Sequence, residues 1–237
     1  MAIAFFDLDR TLISRNSGAM WVRSELRGGH ITYGQALAAY RWIARYHLGF
    51  AKLEDALLAS IASLRGALEA AVRERTLAFY EREVRGLFRP GAFATIARHR
   101  AAGDALVLLT SSSSYLAAAA CADLGFDGYL CNHFEVDATG RYSGRPVGPL
   151  CYGPGKVQAA LPFSEERGVP LVACAFYSDS ASDLPMLNAV GLPVAVNPDP
   201  RLRLVALARG WKIVDWGEPE GRTVALGDTT AAMSSRE

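Results

Sequence analysis

The sequence has no hydrophobic run long enough to cross a membrane. Its apolar runs end after about eight residues, whereas a transmembrane helix needs about 20. The N-terminus also has no basic stretch followed by an apolar segment, which is the pattern of a secretion signal. We therefore expect a cytoplasmic protein without a membrane span.

Cysteine and histidine are scarce, with four residues of each. The cysteines have no CxxC spacing, and no two histidines stand four residues apart, so neither residue type predicts a metal site. A chain of 237 residues buries enough apolar surface to fold without disulfides. We expect reduced thiols.

A surplus of positive charge is also missing. The chain has 25 Lys and Arg against 24 Asp and Glu, which argues against a nucleic-acid binder of the strongly basic type. The charge is uneven, because residues 17–89 hold 11 Lys and Arg but 7 Asp and Glu. The positive charge of that segment suits a small anionic ligand. The sequence does not indicate whether the protein is a monomer or a dimer.

The hydrophobic patterning predicts an α/β fold. Five apolar residues precede Asp7, which indicates a strand buried on both faces of a parallel sheet. Helical periodicity then continues for about seventy residues, and the four predicted helices are Ser17–Leu26, Thr32–Leu48, Lys52–Leu64 and Ala67–Phe88. Ser17 and Thr32 are the candidate N-caps. From Arg89 onward strands and helices alternate, which predicts a doubly wound, Rossmann-like sheet.

The predicted organisation is a core with an all-helical insert after the first strand. The core comprises residues 1–15 and 89–216, the helical bundle residues 16–88, and the flexible tail residues 217–237. The further strands predicted for the core are Ala105–Leu109, Tyr129–Cys131, Leu171–Tyr177, Leu192–Val196 and an edge strand Trp211–Val214. A β-hairpin is expected from His133–Val136 and Arg141–Ser143.

Polar residues follow each of four buried strands, at Asp7 and Asp9, Thr110 and Ser111, Ser178 and Asp179, and Asn197. In a parallel sheet these strand ends share one edge, which would bring together Asp7, Asp9, Asp179 and Asp183. Such crowding is costly unless a cation is bound or protons are retained. Oxygen ligands favour a hard ion, and Mg²⁺ fits best. The alternatives are an Asx-turn at Asp9 and helix N-terminal caps at Asp179 and Asp183.

Lys156 is predicted to lie in the first turn of a helix, where the helix dipole disfavours a cation. A nearby negative charge would explain it, although a surface lysine is the simpler alternative. Thr110, Ser111 and the following amides would form an anion site at a helix N-terminus. Carboxylates, a hard cation, a lysine and an anion site together indicate phosphoryl transfer.

These residues resemble the four ordered motifs of the haloacid dehalogenase superfamily: Asp7-Leu8-Asp9-Arg10-Thr11, Thr110, Lys156 and Asp179-Ser180-Ala181-Ser182-Asp183. The helical insert resembles the C1 cap of the phosphoserine-phosphatase-like branch, subfamily IB. The resemblance extends to about residue 215. It implies a phosphatase that acts on a small phosphorylated metabolite.

The resemblance also implies roles for single residues. Asp7 would be the nucleophile that forms an aspartyl-phosphate, and Asp9 the general acid and then the base. Mg²⁺ would be held by Asp7, the Asp9 carbonyl and Asp179. The remaining roles are binding of the phosphoryl group by Thr110, Ser111 and Lys156, and support of the site by Thr11, Ser182 and Asp183.

Two positions depart from the family pattern. Asn16 stands where phosphoserine phosphatases commonly carry a carboxylate, and Ser182 stands where Asn commonly precedes the last motif aspartate. Ser182 is still polar and suits metal binding, whereas Asn16 is neutral where an ammonium would need an anion, so we expect phosphoserine not to be the best substrate. Three alternatives remain: transfer of the phosphoryl group to an alcohol, phosphoserine phosphatase itself, or a scaffold that only binds a phosphorylated ligand.

Overall fold

The computed structural model describes residues 2–47 and 53–219. A six-stranded parallel sheet forms the core, with a separate two-stranded antiparallel hairpin. The strands are β1 (Ile3–Phe6), β2 (Ala105–Ser113), β3 (Gly128–Asn132), the hairpin pair β4 (Phe134–Val136) and β5 (Tyr142–Pro146), β6 (Ala175–Ser178), β7 (Leu192–Val196) and β8 (Lys212–Val214). The helices are α1 (Ser17–Arg27), α2 (Tyr33–His47), α3 (Leu53–Ser63), α4 (Glu69–Phe79), α5 (Pro90–Ala101), α6 (Ser114–Leu124), α7 (Pro154–Glu165), α8 (Leu184–Ala189) and α9 (Pro200–Arg209).

The first strand lies at the centre of the sheet, whose order is β3-β2-β1-β6-β7-β8. All four residues of β1 are buried, which confirms that this strand has both faces covered. Phe6 pairs in register with Leu108 of β2 and with Tyr177 of β6. Asp7 therefore leaves the sheet between the ends of its two central neighbours.

Successive β1 residues supply the two hydrophobic cores on opposite faces of the sheet. Phe6 packs with Leu108 and Tyr177 in one core, whereas Phe5 packs with Val107 and Phe176 in the other. Buried residues of α5 and α6 belong to the first core, and buried residues of α7, α8 and α9 to the second. This arrangement confirms the predicted doubly wound α/β fold.

The described residues between β1 and α5 form four helices, and we call residues 17–87 the helical insert. Its helices follow the predicted ones closely, although α4 ends at Phe79 and continues as a π-helical turn, Tyr80–Val84, and a short 3-10 turn, Arg85–Leu87. The predicted N-cap at Ser17 is wrong: Asn16 caps α1, since its Oδ1 accepts from Ala19 N at 2.8 Å. Thr32 caps α2 as predicted, accepting from Gln35 N. The predicted helix start at Lys52 lies outside the described residues.

Two predicted strand boundaries are wrong. The segment Leu171–Tyr177 is a 3-10 turn, Leu171–Ala173, followed by β6. The reason is that β6 pairs with β1 and β7 only from Ala175 onward. In contrast, β2 continues past Leu109 to Ser113 and rejoins β3 after a register shift. The edge strand and the hairpin are confirmed.

The helical insert also contacts the β4–β5 hairpin, through an antiparallel bridge between Leu68 and Arg141. Two backbone hydrogen bonds flank this pair, Tyr142 N to Ala67 O at 3.0 Å and Glu69 N to Gly140 O at 2.9 Å. The insert therefore contacts the hairpin at Arg141, which lies far along the chain from residues 17 and 87, where the insert begins and ends. Within the described ranges, no helix has the length and apolarity that a membrane span requires. All four cysteines are free thiols, as predicted.

Candidate active site

The chain turns sharply where β1 ends. Asp7 N donates to Tyr177 O at 3.0 Å, which continues the sheet pairing, and residues Leu8–Leu12 then form one irregular π-helical turn. Within that turn Arg10 has a positive φ of 58°, a conformation that costs a non-glycine residue free energy. The turn places Asp7 and Asp9 on the same edge of the sheet, as predicted.

Lys156 lies between two carboxylates. Its Nζ is 2.7 Å from Asp7 Oδ1 and 2.7 Å from Asp183 Oδ2, and the side chain is 2% exposed. Burial lowers the pKa of Lys156, but the Asp183 and Asp7 carboxylates outweigh it and raise the pKa above its ordinary value. The ammonium is therefore charged, and the surface alternative for Lys156 is wrong.

Burial has the opposite effect on Asp7. It raises the pKa of this carboxyl, while the Lys156 ammonium lowers it. Asp183 Oδ2 also accepts a hydrogen bond from Ser178 Oγ at 2.7 Å, so Lys156 and Ser178 together fix the position of this carboxylate. The Asp183 carboxylate thus holds the Lys156 ammonium within hydrogen-bond distance of Asp7.

Asp179 is braced by Thr11. The Thr11 hydroxyl accepts from Asp179 N at 2.9 Å and donates to Asp179 Oδ1 at 3.3 Å. Burial, followed by the neighbouring Asp7 and Asp183 charges, raises the pKa of Asp179 well above its ordinary value. Ser182 lies on the same loop, where its hydroxyl is 3.0 Å from that of Ser180.

Asp9 is held by the first helix of the insert. Its Oδ1 accepts from the backbone amide of Ser17, the first residue of α1, at 2.8 Å. Burial raises the pKa of Asp9, and the hydrogen bonds from Ser17 oppose that rise. The Asx-turn alternative for Asp9 is therefore replaced by a contact between the Asp7 loop and the insert.

Thr110 and Ser111 lie in β2 rather than at a helix N-terminus, since α6 begins at Ser114. Thr110 is buried and its hydroxyl donates to Ser112 Oγ at 3.2 Å. The Ser111 hydroxyl donates to Cys151 O at 2.9 Å. The Ser112 hydroxyl is also 3.5 Å from Ser17 Oγ, so this end of β2 lies beside the first residue of α1.

The carboxylates fit a hard divalent cation in their chemistry. Asp7 and Asp179 offer oxygen donors that are buried and repel each other, and both have raised pKa values. Across the described ranges, no three Asp, Glu, His or Cys side chains are grouped as a ready metal site. The predicted set contains two carboxylates and one backbone carbonyl, so it does not require a third ligating side chain.

Sequence reasoning missed Asp199. This residue is the N-cap of α9 and also contacts the loop that carries Asp179. The sequence Asp199-Pro200 indicates a helix start, because Asp is a common N-cap and Pro a common first helical residue. That signal does not reveal the contact with a loop 18 residues earlier.

Comparisons with known proteins place this geometry in context. The family model of haloacid dehalogenase-like hydrolases matches residues 4–188. The phosphoserine phosphatase SerB1 of Mycobacterium tuberculosis is 32% identical over 249 residues, covering 99% of this chain and 80% of that protein. The histidinol-phosphatase of Neisseria meningitidis is 29% identical over 223 residues, covering 90% of this chain and 98% of that protein.

A solved structure has a closely similar fold. It is a protein of unknown function from Bordetella pertussis, 30% identical, with a TM-score of 0.82. The match covers 91% of this chain and 98% of that one, so it includes the helical insert as well as the sheet.

Proposed function

We propose, given that this chain belongs to the haloacid dehalogenase-like hydrolase family, that it hydrolyses small phosphomonoesters in a Mg²⁺-dependent reaction through an aspartyl-phosphate. The observation that carries this proposal is the Lys156 ammonium, 2.7 Å from both Asp7 and Asp183. A cation there opposes the effect of burial on the pKa of Asp7 and favours the ionised carboxylate, which a nucleophile requires. The phosphatases among the relatives support the same reaction class.

In the first step, an Asp7 carboxylate oxygen bonds to phosphorus while the ester P–O bond breaks, and Asp9 gives its proton to the leaving alkoxide. In the second step, the Asp9 carboxylate takes a proton from water, and the water oxygen bonds to phosphorus. The Asp7 O–P bond breaks, so that phosphate leaves and the carboxylate is restored. The raised pKa of Asp9 favours this exchange, because a general acid must hold its proton near neutral pH.

Charge neutralisation is divided between the protein and the metal. Lys156 and Thr110 would bind the phosphoryl oxygens, and Ser111 would support the strand end. Mg²⁺ would be held by the Asp7 and Asp179 carboxylates and the Asp9 carbonyl, where it would neutralise phosphoryl charge. Asp183, Thr11 and Ser182 would maintain the loop geometry.

The helical bundle, residues 16–88, would act as a cap over a core of residues 1–15 and 89–216, whereas the predicted tail, residues 217–237, lies outside the described residues from residue 220 onward. A labile acyl-phosphate needs a site that admits substrate, shields the first step and then admits one water. Two contacts support this role for the insert: Ser17 with Asp9 and Leu68 with Arg141. The first contact reaches the proposed general acid, and the second joins the bundle to the β4–β5 hairpin.

The substrate is proposed to lack a free α-amine, as sugar phosphates and glycerol-type phosphates do. A site selective for phosphoserine should offer an anion to its ammonium, and the family pattern places that anion at residue 16. Asn16 is neutral, and its Oδ1 is used in capping α1. The two relatives are named for different substrates, so family membership alone does not fix the leaving group.

The test is a kinetic panel of phosphorylated metabolites at fixed pH, with and without Mg²⁺. Glycerol-type or sugar phosphates should exceed phosphoserine in kcat/KM, and Asn16→Asp, which keeps the helix cap, should raise kcat/KM for phosphoserine by roughly tenfold or more. Asn16→Ser is the matched control, because it keeps a cap but adds no charge. If phosphoserine leads the wild-type panel by tenfold, the substrate proposal is wrong.

A further inference from the structure

Three hydrogen bonds of Asp199, two through its carboxylate and one through its backbone amide, connect α9 with the loop that carries Asp179. Its Oδ1 accepts from Leu202 N at 2.7 Å and caps α9. Its Oδ2 accepts from Ala181 N at 2.9 Å, and its own amide donates to Asp179 O at 2.7 Å. Two of the three bonds therefore reach the loop that follows β6.

Helix capping alone does not explain this arrangement. An N-cap needs one side-chain acceptor, and a serine or threonine hydroxyl provides it. The second carboxylate oxygen of Asp199 satisfies an amide of a different loop. This bond and the Asp199 N to Asp179 O bond together connect Asp199 to both ends of the backbone segment 179–181.

The segment that these two bonds hold includes Asp179, whose carboxylate is crowded by other carboxylates. Asp179 is buried beside Asp7 and Asp183, and repulsion among like charges favours movement of its loop away from the site. Thr11 holds Asp179 from the side of the Asp7 loop, through both its amide and its carboxylate. Asp199 holds the same residue from the side of β7.

We propose that Asp199 is a positioning residue that fixes the Asp179 carboxylate for Mg²⁺ binding, an inference that rests on the proposed function. It touches neither substrate nor metal, and acts through the backbone of the Asp179 loop. Loss of the Ala181 bond loosens that loop and weakens Mg²⁺ binding. Saturating Mg²⁺ then restores the ligand to its place.

The experiment compares Asp199→Thr, which keeps a cap for α9 but cannot reach Ala181, with Asp199→Ala, which loses both bonds. Calorimetric titration with Mg²⁺ alone should give a dissociation constant raised roughly fivefold to tenfold in both variants. Asp199→Thr should recover most of the thermal stability that Asp199→Ala loses. At saturating Mg²⁺, kcat should return to within about twofold of wild type.

The control is Asp127→Ala. Asp127 Oδ2 accepts from Leu106 N at 2.7 Å, near the start of β2 and therefore at the opposite edge of the sheet. This variant should lose stability without a change in Mg²⁺ affinity. An equal loss of affinity in Asp127→Ala would assign the effect to general destabilisation and overturn the inference.

Wild-type Mg²⁺ affinity in Asp199→Thr would reduce Asp199 to a helix cap. Failure of the proposed function is a separate result: a wild-type protein that binds Mg²⁺ but hydrolyses no phosphomonoester would refute the reaction, while the affinity comparison still decides the role of Asp199. A wild-type protein that binds no Mg²⁺ overturns the inference, whatever the hydrolysis assay gives.

Discussion

The backbone amide of Ser17 donates to the Asp9 carboxylate at 2.8 Å. Ser17 begins the helical insert, and Asp9 is the proposed general acid, so a displacement of α1 changes the position of the proton donor. The geometry of the reaction is therefore connected to the position of the insert.

Locking the insert to the hairpin should slow turnover. Leu68 and Arg141 form a non-hydrogen-bonded antiparallel pair, in which Cα atoms lie about 4.5 Å apart and a disulfide is geometrically feasible. Oxidised Leu68→Cys/Arg141→Cys protein should lose at least about tenfold in kcat, and a reductant should restore it. The two single variants, treated with the same oxidant, are the controls. Unchanged kcat in the crosslinked protein would contradict the proposal that the helical bundle moves as a cap.

Asp7→Asn should abolish turnover while the fold is retained. The variant lacks the nucleophile but relieves repulsion with Asp179 and Asp183, so kcat should fall by about a thousandfold or more without a lower Tm. Acid quenching during turnover should trap a phosphorylated wild-type protein and none of the variant. Near wild-type hydrolysis by Asp7→Asn would remove Asp7 from the mechanism.

Lys156→Met should destabilise the metal-free protein. Removal of the ammonium leaves the Asp7 and Asp183 carboxylates buried without their cation, and breaking such a buried pair typically costs about 3–5 kcal/mol. Burial already raises the pKa of Asp7, so the folded state takes up a proton more readily than the unfolded state. The loss measured by urea unfolding should therefore shrink as the pH falls from 8 to about 5. A loss independent of pH would contradict this explanation.

Mg²⁺ should stabilise the wild-type protein and should fail to stabilise an Asp179→Asn variant. The cation neutralises carboxylates whose mutual repulsion opposes folding, so 5–10 mM Mg²⁺ should raise the wild-type Tm by roughly 2–5 °C. Chelation with EDTA should abolish hydrolysis. Asp179→Asn should start from a higher metal-free Tm, because the repulsion is reduced, and should show little further rise. An equal Mg²⁺ response in both proteins would exclude Asp179 as a ligand.

Asp104→Asn tests a charge far from the site. The hydrogen bond from His99 Nδ1 at 2.9 Å and another from Ala2 N at 2.8 Å hold the pKa of Asp104 below its ordinary value. A lowered folded-state pKa stabilises the protein above the ordinary value of 3.8, and this contribution is lost as the pH falls through the folded-state pKa. The variant should be about 1–3 kcal/mol less stable at pH 7, with a smaller gap near pH 3. Hydrolysis at pH 7 should be unaffected, which separates this effect from those at the site.

Local patterning predicted the strands whose whole length is paired. The run that ends at Val196 and the burial of β1 follow from apolar composition. The approach of Asp7 to Asp179 follows from the parallel strand direction, because parallel strand ends share one edge of the sheet. The apolar run at Leu171 predicts a strand, but the structure has a 3-10 turn there. Strand β6 begins only where it pairs with its neighbours β1 and β7. Strand length in a sheet is a nonlocal property, which sequence periodicity does not contain.

The cap of α1 shows the same limit on a smaller scale. Asn16 and Ser17 are both favoured N-cap residues, so local preference could not choose between them. The tertiary contact chooses, since the amide of Ser17 is taken by Asp9 and the side chain of Asn16 then reaches Ala19 N. The contact between Asp199 and Ala181 is likewise tertiary, so local sequence preference did not predict it.

The central position of β1 has a consequence for refolding. Phe6 pairs with Tyr177, which lies 171 positions later in the chain, and Asp7 and Asp179 meet only when that pairing has formed. Contacts between residues so distant in sequence close late and slowly. After dilution from denaturant, regain of phosphatase activity should therefore lag behind regain of helical circular dichroism, and the lag would report the closing of the sheet at its middle.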